Sequence, residues 1–503
     1  MVYLAIYILP SFLAILYTVY SFYQYAGFFL LVVNVYLLYY AFLYLSLVLR
    51  QNRTIAKEIE YRDKFRATPD LYPSKINHVV VFPIYSESIG IVQQSLQILS
   101  EHEQALDYVI VLALEERDKL HHLYAKSMPM FIKNFSHRMG ALECYDSPIF
   151  KKVLVTVHPS EAVKGKHTNL NYALPHVYGY FENRDKVLVT ITDADAHIPS
   201  LYMQHISRKY SKESDYVMYA PSSIFAQNPS MVPNLVRVKD GCWALAHMSS
   251  YSNKEKVHPL STYSISLNFI HELNYWDVSE YGIGEDSAMM FKAVTFAEKH
   301  KIDFYVQAVL IPVNYRNVNA GSYFATIKES YNQSLRHNLA YLMLEKSIIT
   351  FMEFKTKRML GLVFLYFEVV FITLVLGWIW MIAGICGYEW LTGMENINKS
   401  ILGEQWSEVL IKFNCIAMLI ILPLLASFYD LNHFLLGKYR LFGMAKYASH
   451  SMLAHFDIWF FPISCLGITM TSALHGAWIV FSQQIKKMCG GDYNFMVDGS
   501  KKQ

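Results

Sequence analysis

Apolar residues are unevenly spread along this chain. Residues 1–49 hold two apolar runs, at about 2–20 and 26–49, with no Lys, Arg, Asp or Glu in either. Only Ser21-Phe-Tyr-Gln-Tyr25 separates them. Each run is close to the ~20 residues a bilayer crossing needs. A cleaved signal peptide would show a basic start and one short apolar core, so a transmembrane hairpin is expected over residues 1–50. Further apolar runs at about 359–388, 409–429 and 456–481 bring the expected total to about five spans.

Between residues 50 and 358 the pattern changes to short β-branched runs alternating with amphipathic stretches. Asn77-His-Val-Val-Val-Phe-Pro83 reads as a strand entering a Pro-containing loop, followed by a helix over 91–99. A second strand at 108–115 ends in Glu115-Glu-Arg-Asp118, and a helical stretch is expected over 118–135. A third strand at 152–157 leads through Lys164-Gly-Lys166 to a helix over 168–178. The fourth, Val187-Leu-Val-Thr-Ile-Thr192, runs into Asp193-Ala-Asp195 and is stopped by Pro199. Such alternation predicts parallel βαβ units, whose ligands gather at the carboxyl ends of the strands. Asp193 and Asp195, two residues apart, point to one side of a continuing strand. A carboxylate pair of this kind suits Mg²⁺ or Mn²⁺, which completes its coordination with phosphate oxygens. It equally suits a turn in which Asp caps backbone amides. The other polar clusters at strand ends favour a site.

Composition sharpens this picture. At 503 residues two or three units are expected. The 53% apolar and 15% aromatic content against 17% charged is that of a membrane protein with a water-soluble insert. Arg50, Arg53, Lys57, Arg62, Lys64 and Arg66 follow the second run, and Lys355, Lys357 and Arg358 precede the third, which puts the insert in the cytosol. Glu389, Glu395 and Glu404 suit an outer loop, and Lys438, Arg440 and Lys446 an inner one. Five spans place the tail outside, against the sign of Lys486, Lys487, Lys501 and Lys502. The six cysteines form no CxxC pair, so neither a zinc site nor a disulfide framework is expected. Net charge +3 and the lack of a basic–aromatic stripe give no ground for nucleic-acid binding. Oligomeric state is not readable.

Five segments, in order, resemble the motifs of glycosyltransferase family 2. They are Pro83-x-Tyr85-x-Glu87, Gly165-Lys166-x-x-x-Leu170-Asn171, Asp193-Ala-Asp195, Tyr275-Trp276-Asp277 with Gly284-Glu285-Asp286, and Gln333-Ser-Leu-Arg336-His337. The last resembles the Gln-x-x-Arg-Trp motif of the membrane-integrated processive synthases of cellulose, chitin and hyaluronan. Departures are Glu115 where many relatives carry Asp, Gly284 for Thr, Ser334 for a frequent Arg and His337 for Trp. The resemblance implies an α/β GT-A (Rossmann-like) cytosolic domain inserted in an α-helical transmembrane region of about five spans plus interfacial helices. The expected divisions are a hairpin at 1–50, the GT-A domain at 51–322, an interfacial amphipathic region at 323–357, transmembrane helices at 358–482 and a tail at 483–503.

The resemblance also implies roles. The donor is a nucleotide sugar, a UDP-sugar such as UDP-GlcNAc, held by Pro83, Tyr85, Glu87, Glu115, Lys166, Asn171, Asp193, Gln333, Arg336 and His337. Asp195, with Asp193, would hold Mg²⁺ or Mn²⁺. Asp286 would be the general base, with Trp276 and Glu285 on the acceptor side. Each has a plainer alternative: a solvated lysine for Lys166, helix-start carboxylates for Glu87 and for Glu285-Asp286, a core tryptophan for Trp276. Ile327, Tyr331, Leu335, Leu339 and Leu342 make an apolar stripe, leaving Gln333, Arg336 and His337 on another side. Glu368, inside the third run, would line a path or pair with a hydroxyl of another helix; His475 and Trp478 read as interfacial. The expected activity is metal-dependent inverting transfer to a growing polysaccharide by a multi-pass membrane protein. Transfer to a lipid or polyprenyl phosphate is one alternative, and a nucleotide-sugar-binding subunit without turnover another.

Overall fold

The computed structural model describes residues 2–67, 76–85, 87–161, 165–276, 284–338, 341–371, 404–441 and 471–488, with isolated positions 457, 464, 468 and 469. Its strands are β1 (Asn77–Pro83), β2 (Tyr108–Glu115), β3 (Phe135–Met139), β4 (Leu142–Tyr145), β5 (Lys152–His158), β6 (Val187–Ile191), β7 (Val217–Ile224), β8 (Tyr263–Ser266) and β9 (Tyr305–Asn314). The four strands expected from the sequence are β1, β2, β5 and β6. All join one sheet in the order β3-β4-β5-β2-β1-β6-β8-β7-β9. β1 pairs in parallel with β2 and β6, and β2 with β5. β8 runs against β6 and β7, and β9 is parallel to β7. The order reverses at β1, whose neighbours β2 and β6 come from opposite directions of winding, the point at which open α/β sheets place their ligands.

The helices are α1 (Val2–Ala67), α2 (Ile89–Ser100), α3 (His121–Ser127), α4 (Lys166–Tyr180), α5 (Ser200–Tyr210), α6 (Asn234–Ser250), α7 (Leu267–Glu272), α8 (Glu285–His300), α9 (Tyr323–Asn338), α10 (Tyr341–Phe354), α11 (Lys357–Phe371), α12 (Glu404–Lys438) and α13 (Thr471–Met488). Alternate strand residues feed two cores. Val79, Val81, Val109 and Val111 face the layer of α4, α6, α7 and α8, while Val80, Phe82, Ile110 and Leu112 face α2, α3 and α5. Every residue of β2 and β6 is buried, as strands covered on both faces require. The helical stretch expected over 118–135 shrinks to α3 and is followed by the β3–β4 hairpin, whose cross-strand pairing only the tertiary structure supplies.

The helical part departs further from expectation. The hairpin over 1–50 is not formed: α1 is one continuous helix of 66 residues. Ser21-Phe-Tyr-Gln-Tyr25 holds neither Pro nor Gly, so nothing breaks the ladder there. The helix then enters the domain core, with Leu47 and Val48 in one layer and Ile55 in the other. Gln51 donates to Ser222 at 3.0 Å, and Glu58 pairs with His205 at 3.1 Å and with Arg208. Among the described residues one helical segment, Leu31–Lys64, is long and apolar enough to cross a membrane. The five-span region is therefore not supported. The third run beyond residue 371, the fifth run for nearly all its length before 471 and the tail beyond 488 lie outside the described residues, as do Lys164 and Asp277. α12 covers the fourth run and lies along α1, where Asn34 donates to Asn414 at 3.0 Å. Glu368 on α11 takes a hydrogen bond from Tyr36 of α1 at 2.5 Å and pairs with Lys256 at 2.6 Å. Of its two expected roles, the pairing with a hydroxyl of another helix is the one found.

Candidate active site

The residues that carry charge or hydrogen-bonding capacity collect at the carboxyl edge of the sheet. Backbone bonds between neighbouring strand ends hold that edge in shape. Ile84 N–H donates to Ala113 at 2.8 Å and Thr192 N–H to Val81 at 3.1 Å. β6 delivers Asp193 and Asp195 beside the reversal point, and α4 starts opposite them. Gly165 opens α4, and a β-carbon there would lie 2.5 Å from the His167 ring, so only glycine lets the ring pack against the backbone. Lys166 then reaches Asp193 Oδ1 at 2.8 Å and Glu285 Oε1 at 2.5 Å. Glu285 and Asp286 enter the same cluster because Gly284, at φ 74°, turns the chain directly into α8.

Four carboxylates thus share one edge with a single bridging lysine. Burial opposes the Lys166 charge, but Asp193 and Glu285 outweigh it and hold its ammonium well above the ordinary range. Burial pushes the Asp286 carboxyl up to about 7; Glu285 and Asp193 add to the rise, while Lys166 and the Ser287 N–H, 2.6 Å from Oδ1, oppose it. A carboxyl poised there can take a proton near neutral pH. Arg336 is held below its usual range by burial, and the opposing charges are those of Glu329 and Asp193, which puts its guanidinium in the field of the cluster. Asp195 is buried, and its carbonyl accepts from Gln227 at 2.6 Å.

A second polar group lies along β2 and β5. Glu115, 2% exposed, pairs with Nδ1 of His158 at 3.1 Å. His167 is buried beside both groups: burial lowers its pKa, the charge of Glu285 raises it and that of His158 lowers it again. Glu87 folds back onto the Tyr85 N–H at 2.5 Å, so it acts as a loop cap with Tyr85 exposed above Pro83.

Other expected residues act at one remove. Asn171 does not point into the cluster. It clamps the backbone of Trp276, donating to its carbonyl and accepting from its N–H, both at 2.6 Å. Trp276 is 3% exposed, with Nε1 donating to Tyr263 at 3.2 Å, which makes it a core residue and not an open stacking floor. Gln333 accepts from Lys239 of α6 at 3.1 Å, and the His337 ring stands edge-on to Trp243, 6.2 Å away. Of the apolar stripe, Ile327 packs against Val232, Val236 and Ile468, Tyr331 bonds His475 at 3.0 Å and Leu335 is buried, while Leu339 and the Leu342 side chain lie outside the described residues. Trp478 is exposed.

Sequence reasoning missed His158, His167, Gln227, Tyr263 and Tyr315. Tyr263 feels Glu285, Lys166 and Asp286, and Tyr315 feels Asp193 and Lys166. His158 was findable, since it ends β5 at the ligand edge. The tyrosines were not, because β7, β8 and β9 carry no motif.

No family model and no curated protein matches this chain. Among solved structures, the mannosyltransferase PcManGT from Pyrobaculum calidifontis in complex with GDP-Man and Mn²⁺ is similar at 13% identity and TM-score 0.38, over 76% of this chain and 99% of that one. S. aureus TarS 1–349 is similar at 10% identity and TM-score 0.34, over 84% of this chain and 95% of that one. Likenesses this loose assign no residue a role.

Proposed function

We propose that the chain is a membrane glycosyltransferase of GT-A type, transferring a sugar from a nucleoside-diphosphate donor with inversion. The observation that carries this is the Asp193–Lys166–Glu285–Asp286 cluster at the reversal point of the sheet, with Asp286 at about 7. Asp286 would accept the proton of the attacking hydroxyl. Lys166 and Arg336 would meet negative charge that grows on the leaving diphosphate, where fixed cations act with most effect. Glu115, oriented by His158, would hold the base or ribose.

A divalent ion fits the donor set. Mg²⁺ or Mn²⁺ needs only one or two carboxylates when phosphate oxygens complete its shell. Among the described residues no group of three ligating side chains exists, so a site built wholly of protein ligands does not fit. Asp195 would hold the ion, with Asp193 shared between it and Lys166. Bound there, the ion would neutralise charge on the diphosphate.

The favoured donor is a UDP-sugar such as UDP-GlcNAc, the acceptor a growing polysaccharide, and the catalytic domain cytosolic on a multi-pass membrane anchor. Single transfer to a lipid or polyprenyl phosphate is the second reading. It is favoured by α9, where Gln333 is taken up by Lys239 and His337 stands in place of Trp. Membranes containing the full chain, given labelled UDP-sugars and Mn²⁺, should yield sugar product with the wild type and about a hundredfold less, or lower still, with Asp286→Asn. Polymer supports the first acceptor, and a solvent-extractable monoglycosylated lipid the second. Binding of donor without hydrolysis or transfer would return the binding-only reading.

A further inference from the structure

β9 and the loop after it bring one more cation to the same edge. His197, two residues beyond Asp195, forms a two-way backbone bridge with Asn314, at 2.8 and 3.0 Å. Gln227 ties the two chains again, donating to the carbonyls of Asp195 and Asn314, each at 2.6 Å. Asn317 is fixed in turn to Asn228, its N–H donating at 2.8 Å. Arg316 sits between these pinned positions. The bridge at His197 and Asn314 and the Gln227 tie lay the segment carrying Arg316 alongside Asp195–His197. The Arg316 Nε is buried with no hydrogen-bond partner among the described residues. A half-buried guanidinium on a rigid loop is costly unless an anion meets it, and its planar fork matches phosphate oxygens.

We infer that Arg316 binds a phosphate group of a substrate at the β9 side of the site, beside the Asp195–His197 segment. This rests on the transferase reading. The phosphate belongs either to the donor's diphosphate or to a phosphorylated acceptor, and two probes separate them. Full-length protein in detergent, with Mn²⁺, is titrated with UDP or GDP, and separately with decyl phosphate against decanol. Arg316→Ala should weaken one phosphate probe roughly tenfold, with Arg316→Lys between it and wild type. A loss for the nucleotide assigns Arg316 to the donor, and a loss for decyl phosphate assigns it to the acceptor. Melting temperatures of the variants, and their unchanged response to the other probe, report that the fold is kept. Wild-type binding matched by both variants for both probes overturns the inference alone. Wild type that binds neither probe overturns the transferase reading and this inference with it.

Discussion

Two lysine–carboxylate clusters in this molecule have nearly the same short-range geometry and opposite character. Lys256 and Tyr36 meet one carboxylate, Glu368, at 2.6 and 2.5 Å, and join α1 and α11 to the domain. Lys166 meets two carboxylates at 2.8 and 2.5 Å, with Asp286 close enough for Glu285 and Asp193 to raise its pKa and Asp195 at the same strand end. In the first the acid is matched by a cation and a hydroxyl donor, and the cluster needs nothing more. In the second, Lys166 is shared by two carboxylates, and two more, Asp195 and Asp286, stand at the same edge. Carboxylates concentrated on a ligand edge are what mark a site, since protons, metal or substrate can meet them there.

The largest test of that contrast is Asp286→Asn, which should cut transfer about 10²–10⁴-fold while leaving nucleotide affinity near wild type. Equal losses of rate and nucleotide binding would move Asp286 from base to donor ligand. Asp195→Asn should weaken Mn²⁺-dependent UDP binding by roughly tenfold or more, read by calorimetry with and without the ion.

A pH series sharpens the comparison. With Asp286 at about 7, the transfer rate of the wild type should rise as pH climbs through that value and then level, and this limb should vanish in Asp286→Asn. Stability runs the other way. The folded state keeps the Asp286 proton above the ordinary value of 3.8, so it binds more protons than the unfolded state between there and about 7. Stability from this group is present at low pH and lost as pH rises through about 7. Asp286→Asn should therefore melt higher than wild type at pH 8 and close to it at pH 4.

The smallest expected change lies in the matched cluster. Glu368→Gln should cost about 1–3 kcal/mol of stability, because Lys256 loses its counter-charge, and should leave UDP affinity unchanged. A fall in nucleotide affinity would mean that the two clusters are coupled through α11.

The amino-acid sequence by itself determined the four parallel strands, the acidic strand ends, the helix after Gly165, expected from 168 and found from Lys166, and the helix start at Glu285, because period, β-branching and glycine placement act locally. Asp193, Asp195, Lys166, Glu285 and Asp286 are all legible as site candidates in the sequence. Only the tertiary structure decided which side chains meet. It showed Lys166 bridging Asp193 and Glu285, His158 behind Glu115, Asn171 turned to the Trp276 backbone and Trp276 itself buried, since such pairings join residues as many as 119 positions apart (285 minus 166). It also decided the continuity of α1 and the place of β9. Hydropathy counts how apolar a run is. Whether that run turns, spans or packs depends on the surface that meets it.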